Sequence, residues 1–377
     1  MTEREDGQVL DEGGLPEGAS CRIDALAAAP AYRILGEIGI GMDPEGVVVD
    51  PVLERAYVAC SRSNAVSVVD LERMAVVATI EVGQEPIDIV VDTATRRLFT
   101  ANARDDAVSV IDIDQGAVVA TVPVGIYPAG LAIDEGGRRL YVGNTIGCSV
   151  SVVDLDRLEV VATLEAELGA GAVVADPSLH RLYCANFVTS TVSVFDTEQL
   201  VALEQVKVGE GPCAVGVQAE RGEVYVVNCL ASSVARLDAD RGEQTGELFG
   251  LGAPVGLAVG AEGDRLYVTN RGEGTCSVLG LDGREWARVP VGTAPGGVAY
   301  HPRDPRRILV ANAGSGTLTV VELDLDGPPA EVVEEGAHPL VGRRIPEFAL
   351  PEVTSGELRH IGEWAERKYI INFFASW

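Results

Sequence analysis

The side chains best able to do chemistry in this 377-residue chain are its seven cysteines, Cys21, Cys60, Cys148, Cys184, Cys213, Cys229 and Cys276. No two of them form a Cys-x-x-Cys pair, the spacing that lets one thiol depress the pKa of another at a helix N-terminus. Most fall in strand-like contexts, where a thiol acts as a small apolar group, so the spacing predicts reduced, structural cysteines. Cys21 follows Gly-Ala-Ser but lacks the upstream apolar segment that a bacterial lipidation site needs. His180, His301, His338 and His360 are too few and too scattered to build a metal centre, and none is expected. Aspartates recur at Asp50, Asp92, Asp134 and Asp176 and again at Asp70, Asp112, Asp154, Asp196 and Asp238. They have the look of ligand rings, but an Asp at a strand end also closes a tight turn through its carboxylate, and that reading is preferred. A nucleophilic serine has no Gly-x-Ser-x-Gly context, and no unique departure from the repeat described next offers acid, base or metal-binding groups to a central channel.

The elements that must position these side chains repeat every 42 residues. Asn102, Asn144, Asn186, Asn228, Asn270 and Asn312 mark the register, with Cys60 in the same slot of the first unit, so seven units are present. A second marker is the proline of Val-Gly-x-x-Pro, at Pro44, Pro86, Pro128, Pro212, Pro254 and Pro295, replaced by Ala170 in the fourth unit. Each unit reads as four short β-branched strands punctuated by Gly, Pro, Asp and Asn. Such a unit is apolar on both faces and must stack on neighbours, and seven of them close into an all-β propeller. Tyr32 to Ile38 aligns with the fourth strand of a unit, which predicts that it completes the last blade beside Thr317 to Glu322; Ala330 to Val333 is the rival for that place. Ligand-face loops would present Arg62, Glu85, Arg104, Tyr127, Phe187, Arg271 and Asn312, either as a partner-binding rim or as ordinary solvated turn residues.

Arg265-Leu-Tyr-Val-Thr-Asn270 is echoed by Tyr57-Val-Ala-Cys60, Phe99-Thr-Ala-Asn102, Tyr141-Val-Gly-Asn144, Tyr183-Cys-Ala-Asn186 and Tyr225-Val-Val-Asn228. On these motifs residues 32–325 resemble YVTN-family β-propellers. The resemblance implies a seven-bladed ring, in a family that includes lactonases as well as many binding and surface proteins.

Residues 1–31 read as an acidic, flexible lead and 326–340 as a Pro- and Glu-rich linker. Residues 341–377 change pattern: Val341-Gly-Arg-Arg-Ile-Pro-Glu-Phe-Ala-Leu350, Gly356, a helix-like Ile361 to Lys368, then the strand Tyr369-Ile-Ile-Asn-Phe-Phe-Ala-Ser-Trp377. This order resembles the opening of a redoxin domain of the thiol-disulfide oxidoreductase branch of the thioredoxin superfamily. The implied domain is an incomplete α/β fragment, and the family's two redox cysteines would fall just after Trp377. No catalytic residue is therefore expected in the chain itself, which would be inactive while the full gene product is an oxidoreductase acting on a disulfide or peroxide. An in-frame UGA for selenocysteine, read as a stop, is the expectation for the first of those positions; a selenol is more acidic than a thiol. Selenocysteine apart, no cofactor is expected. Two other readings stay open: a non-enzymatic interaction propeller with a decayed redoxin remnant, and a propeller lactonase.

Acidic residues outnumber basic ones 57 to 29, and the net charge of -28 opposes binding to nucleic acid or anionic lipid. No apolar run is long enough to span a membrane, and the first 25 residues show no export signal. The expected product is a monomeric cytoplasmic protein with a protein or small-molecule partner on the propeller face, or a periplasmic one if the true start lies upstream.

Overall fold

A computed structural model of the protein describes residues 32–260, 264–324, 349–351 and 358–360. It shows an all-β, seven-bladed propeller. Seven four-stranded antiparallel sheets follow one another, and in six of them the strands lie in chain order from the channel outward. The second blade is typical, with strands Pro86–Asp92, Arg97–Asn102, Ala107–Asp112 and Ala117–Pro123. The inner strand of each blade contacts that of the next, and blade 7 contacts blade 1, so the ring is closed. Tyr57, Phe99, Tyr141, Tyr183, Tyr225 and Tyr267 occupy one position of the second strand in successive blades and are all buried. They form part of the hydrophobic layers between neighbouring sheets.

The seventh sheet is completed by the N-terminal strand. Tyr32–Gly39 pairs with Thr317–Leu323 on the outer side of blade 7, as the sequence alignment of that strand predicts. Ion pairing and hydrogen bonding reinforce the closure: Arg33 Nη2 lies 2.7 Å from Glu322 Oε2, and the Thr317 hydroxyl donates to Glu37 at 2.6 Å. The rival strand Ala330 to Val333 lies outside the described residues, as do the lead 1–31 and the linker. Of the expected thioredoxin-like fragment only Ala349–Pro351 and Leu358–His360 are described, as a two-stranded antiparallel ladder. Among the described residues no helix is long and apolar enough to cross a membrane.

Candidate functional site at the channel rim

Three features of the repeat build one end of the channel. The residue before the marker proline adopts a left-handed conformation in every blade: Asp43, Glu85, Tyr127, Gly169, Gly211, Ala253 and Ala294 all have positive φ. A β-bulge follows immediately, because the ladder between the first two strands shifts register after Pro44, Pro86, Pro128, Ala170, Pro212, Pro254 and Pro295. Bulges re-aim side chains, and the residue after the proline lines the channel in blades 1, 2, 3, 4, 5, 6 and 7 alike, as Glu45, Ile87, Ala129, Gly171, Cys213, Val255 and Gly296. The third feature is the residue after the marker asparagine, which stands beside the bulge: Ser61, Ala103, Thr145, Phe187, Cys229, Arg271 and Ala313.

The residues after the marker proline, with Thr145 and Phe187 of the third set, line a cavity of about 430 Å³. Most of its wall is small or apolar, and its polar groups come from few blades. Arg271 of blade 6 reaches over blade 7 to Glu45 of blade 1, Nη2 to Oε1 at 2.9 Å. Glycine at position 296 makes room for this bridge, since a Cβ there would lie 2.7 Å from Glu45 Oε2. Burial pushes the Glu45 carboxyl up, and Arg271 partly offsets the rise. Asp88 stands where the other blades carry Gly46, Gly130, Ala172, Ala214, Gly256 and Gly297. Its carboxylate accepts from Ile89 N at 2.8 Å and from Leu131 N of the next blade at 2.9 Å. Protein surrounds it except for a narrow face on the channel, and this burial, countered in part by the two N–H donors, raises its pKa to about 6.

Blade 5 contributes two cysteines. The Cys213 and Cys229 thiols act on each other: Cys229 pushes Cys213 well up, with burial adding to the rise, and Cys213 brings Cys229 down to about 7. Cys213 also lies 3.7 Å and 3.6 Å from the Pro254 and Val255 carbonyl oxygens of blade 6. The six described cysteines are free, as the expectation of reduced thiols has it, but Cys213 and Cys229 are set at the channel rim rather than in the core. Cys60, Cys184 and Cys276 are buried in the core, and burial raises all three. The expectation that no departure from the repeat offers acid, base or metal-binding groups to the channel is corrected, since Glu45, Asp88 and Cys213 line it.

The rim residues singled out from sequence divide into four groups. Glu85, Arg104 and Tyr127 come together: Arg104 Nε donates to Glu85 Oε2, and the Tyr127 hydroxyl donates to Glu85 Oε1 at 2.8 Å. Tyr127 and Arg104 hold the Glu85 carboxyl below its usual value. Phe187 is a half-exposed wall residue of the cavity, and Arg271 reaches it through its ion pair with Glu45. Arg62 stands apart on Asp43 at 3.3 Å, exposed. Asn312 is not a ligand-facing group; it is fully buried, and its amide donates to Thr317 and Thr319 at 3.1 Å and 2.8 Å. The recurrent aspartates close turns: Asp70, Asp154, Asp196 and Asp238 each accept from the N–H groups two and three residues on. Among the described residues no three His, Cys, Asp or Glu side chains converge as a metal site.

No protein-family model matches the chain, and no curated protein matches it. Among solved structures, hydrazine synthase of Kuenenia stuttgartiensis is similar, with a TM-score of 0.69 and 21% identity over 75% of this chain and 96% of that one. The propeller is widely used, with 1538 matching chains of solved structures, so this likeness speaks for architecture and selects no activity. The chain is a seven-bladed β-propeller with a polar, asymmetric rim at one end of its channel.

Proposed function

We propose that the chain is a binding module whose ligand, or the protruding group of a partner, enters the channel at the rim where the inner strands begin and carries positive charge. The observation that carries this reading is Asp88. It is an acidic group in a repeat position otherwise held by glycine or alanine, it faces a cavity of about 430 Å³, and among the described residues it has no ion-pair partner. With a pKa of about 6 it is mostly ionised at neutral pH, and an uncompensated carboxylate in a narrow protein-walled channel attracts a cation strongly. Glu45 adds a second carboxylate whose charge Arg271 balances, and the net charge of -28 draws cations from a distance. The YVTN-like repeats support a binding use, and the redoxin-like order of residues 341–377 supports presentation of the bound partner to a thiol-disulfide centre.

The test is a thermal-shift panel on the full chain with spermidine, arginine amide and citrate, repeated on Asp88→Asn. The reading expects both cations to raise the melting temperature, citrate to leave it unchanged, and the variant to lose most of the cation effect. No shift, a shift with citrate alone, or cation shifts equal in the parent and the variant would overturn it.

A further inference from the structure

The two cysteines of blade 5 occupy the two repeat positions that face each other at the channel rim. The corresponding pairs elsewhere are Glu45 with Ser61, Ile87 with Ala103, Ala129 with Thr145, Gly171 with Phe187, Val255 with Arg271 and Gly296 with Ala313. The fold thus asks for no cysteine at either place. The ladder brings them together: Pro212 pairs with Asn228, the bulge swings the following residue out of register, and Cys229 N donates to Gly211 O at 2.9 Å. The bulged Cys213 and Cys229 thus stand side by side, both are partly exposed, and Cys213 lines the cavity. The core cysteines Cys60, Cys184 and Cys276 have none of these properties.

We propose that Cys213 and Cys229 are a thiol-disulfide exchange site, which a low-molecular-weight disulfide converts to an intramolecular disulfide across the rim of blade 5. Cys229, whose thiolate its neighbour stabilises, is the entry sulfur. Its thiolate attacks one sulfur of R–S–S–R, forming a mixed disulfide on Cys229 and releasing R–S⁻, which takes up the proton that Cys229 gave to solvent. Cys213 then loses its proton and attacks the Cys229 sulfur. The protein disulfide forms and the second thiol R–SH leaves, so two electrons pass from the protein pair to the small disulfide and two R–SH are produced. The inference does not rest on the cationic-ligand reading, since neither Asp88 nor Glu45 takes part.

The test equilibrates the full chain in buffers of oxidised and reduced glutathione, blocks free thiols by alkylation and maps tryptic peptides. Arg221 separates the cysteines, so the pair appears as peptide 208–221 linked to 222–236. The expected result is that linked species in the oxidised buffers, reverting in excess reduced glutathione, and in Cys213→Ser a lasting glutathione adduct on Cys229. Both cysteines alkylated as free thiols at every ratio, separate adducts without a link in the parent chain, or links that join other cysteines would overturn the proposal. The parent-chain mapping decides the matter even if the variant fails to fold.

Discussion

Asp88 stands out because its neighbours in the repeat show what the position needs: a glycine or alanine small enough for inner strands to approach. At Gly46, a Cβ would lie 2.8 Å from the Asp88 Cα itself. A carboxylate there is a cost to the fold, and the sign of its pH dependence follows from its pKa. Burial raises the group from an ordinary 3.8 to about 6. Between those values the folded chain keeps a proton that the unfolded chain has lost. The stability associated with this group is therefore full below about pH 4 and is lost as pH rises through about 6. Two pKa units correspond to about 3 kcal/mol, an upper bound because channel water solvates one face of the carboxylate. Asp88→Asn, measured by urea unfolding at several pH values, is expected to be more stable than the parent by about 1–2 kcal/mol at pH 7.5, with the gap closing toward pH 4. A gap independent of pH, or a less stable variant at pH 7.5, would show that the carboxylate is not held against its preference. Retaining a destabilising charge at a cavity wall is what a binding residue does.

Within a blade, the marker asparagine ties the second strand to the third. Asn144 is fully buried and donates to Ser149 at 3.1 Å and Ser151 at 3.0 Å, while glycine at 125 lets the approaching loop lie on its amide, where a Cβ would come within 2.5 Å of Nδ2. Asn144→Ala removes a donor from two buried hydroxyls, and a loss of about 2 kcal/mol is expected in denaturant unfolding. Ser149→Ala leaves Ser151 to accept and should cost about half as much. The positions of these asparagines were legible in the sequence as the marker of the register, though their bonding was not; the blade count, the four-stranded unit and the outer strand contributed by Tyr32–Gly39 all followed from the same spacing. The site was less legible for the complementary reason. Glu45, Asp88, Cys213 and Cys229 are places where the repeat is broken, and a reading built on its regularities passes over them. Their partners are also remote: Glu45 and Arg271 are 226 positions apart and meet only because the ring closes. Cys213 and Cys229 are joined by a bulge that shifts the ladder out of simple register. Comparing the residue after each marker proline with the residue after each marker asparagine would have exposed the cysteine pair. The same comparison does not explain Asn312, whose polarity suggested a ligand but serves the blade.

At the scale of the whole molecule, each blade ends in an outer strand, and blade 7 takes its outer strand from the opposite end of the described chain, which ties the two ends of the ring together. Five contacts join parts of the chain remote in sequence: Arg33 with Glu322, Glu37 with Thr317 and Ile40 N with Gly316 O hold the N-terminal strand in blade 7, Glu54 with His301 ties blade 1 to blade 7, and Glu45 with Arg271 ties blade 1 to blade 6. The closing strand buries a modest apolar area, with Ile38 of Tyr32–Gly39 in the core and Tyr32 and Leu35 packed against it partly buried. Its contribution is therefore chiefly the backbone ladder to Thr317–Leu323. Removing residues 1–39 would strip those backbone bonds from an otherwise intact blade, at a net loss of about 3 kcal/mol, while leaving most apolar burial in place. The melting temperature is expected to fall by about 5–10 °C. The more telling consequence is the newly exposed edge, whose unpaired N–H and C=O groups can pair with the same edge of another copy. Size-exclusion chromatography of the shortened chain should show more concentration-dependent oligomer than the full chain shows under the same conditions. An unchanged melting temperature together with a monomeric elution profile would mean that the inner-strand contacts alone hold the ring shut, and that the N-terminal strand is an ornament of the closure rather than its cause.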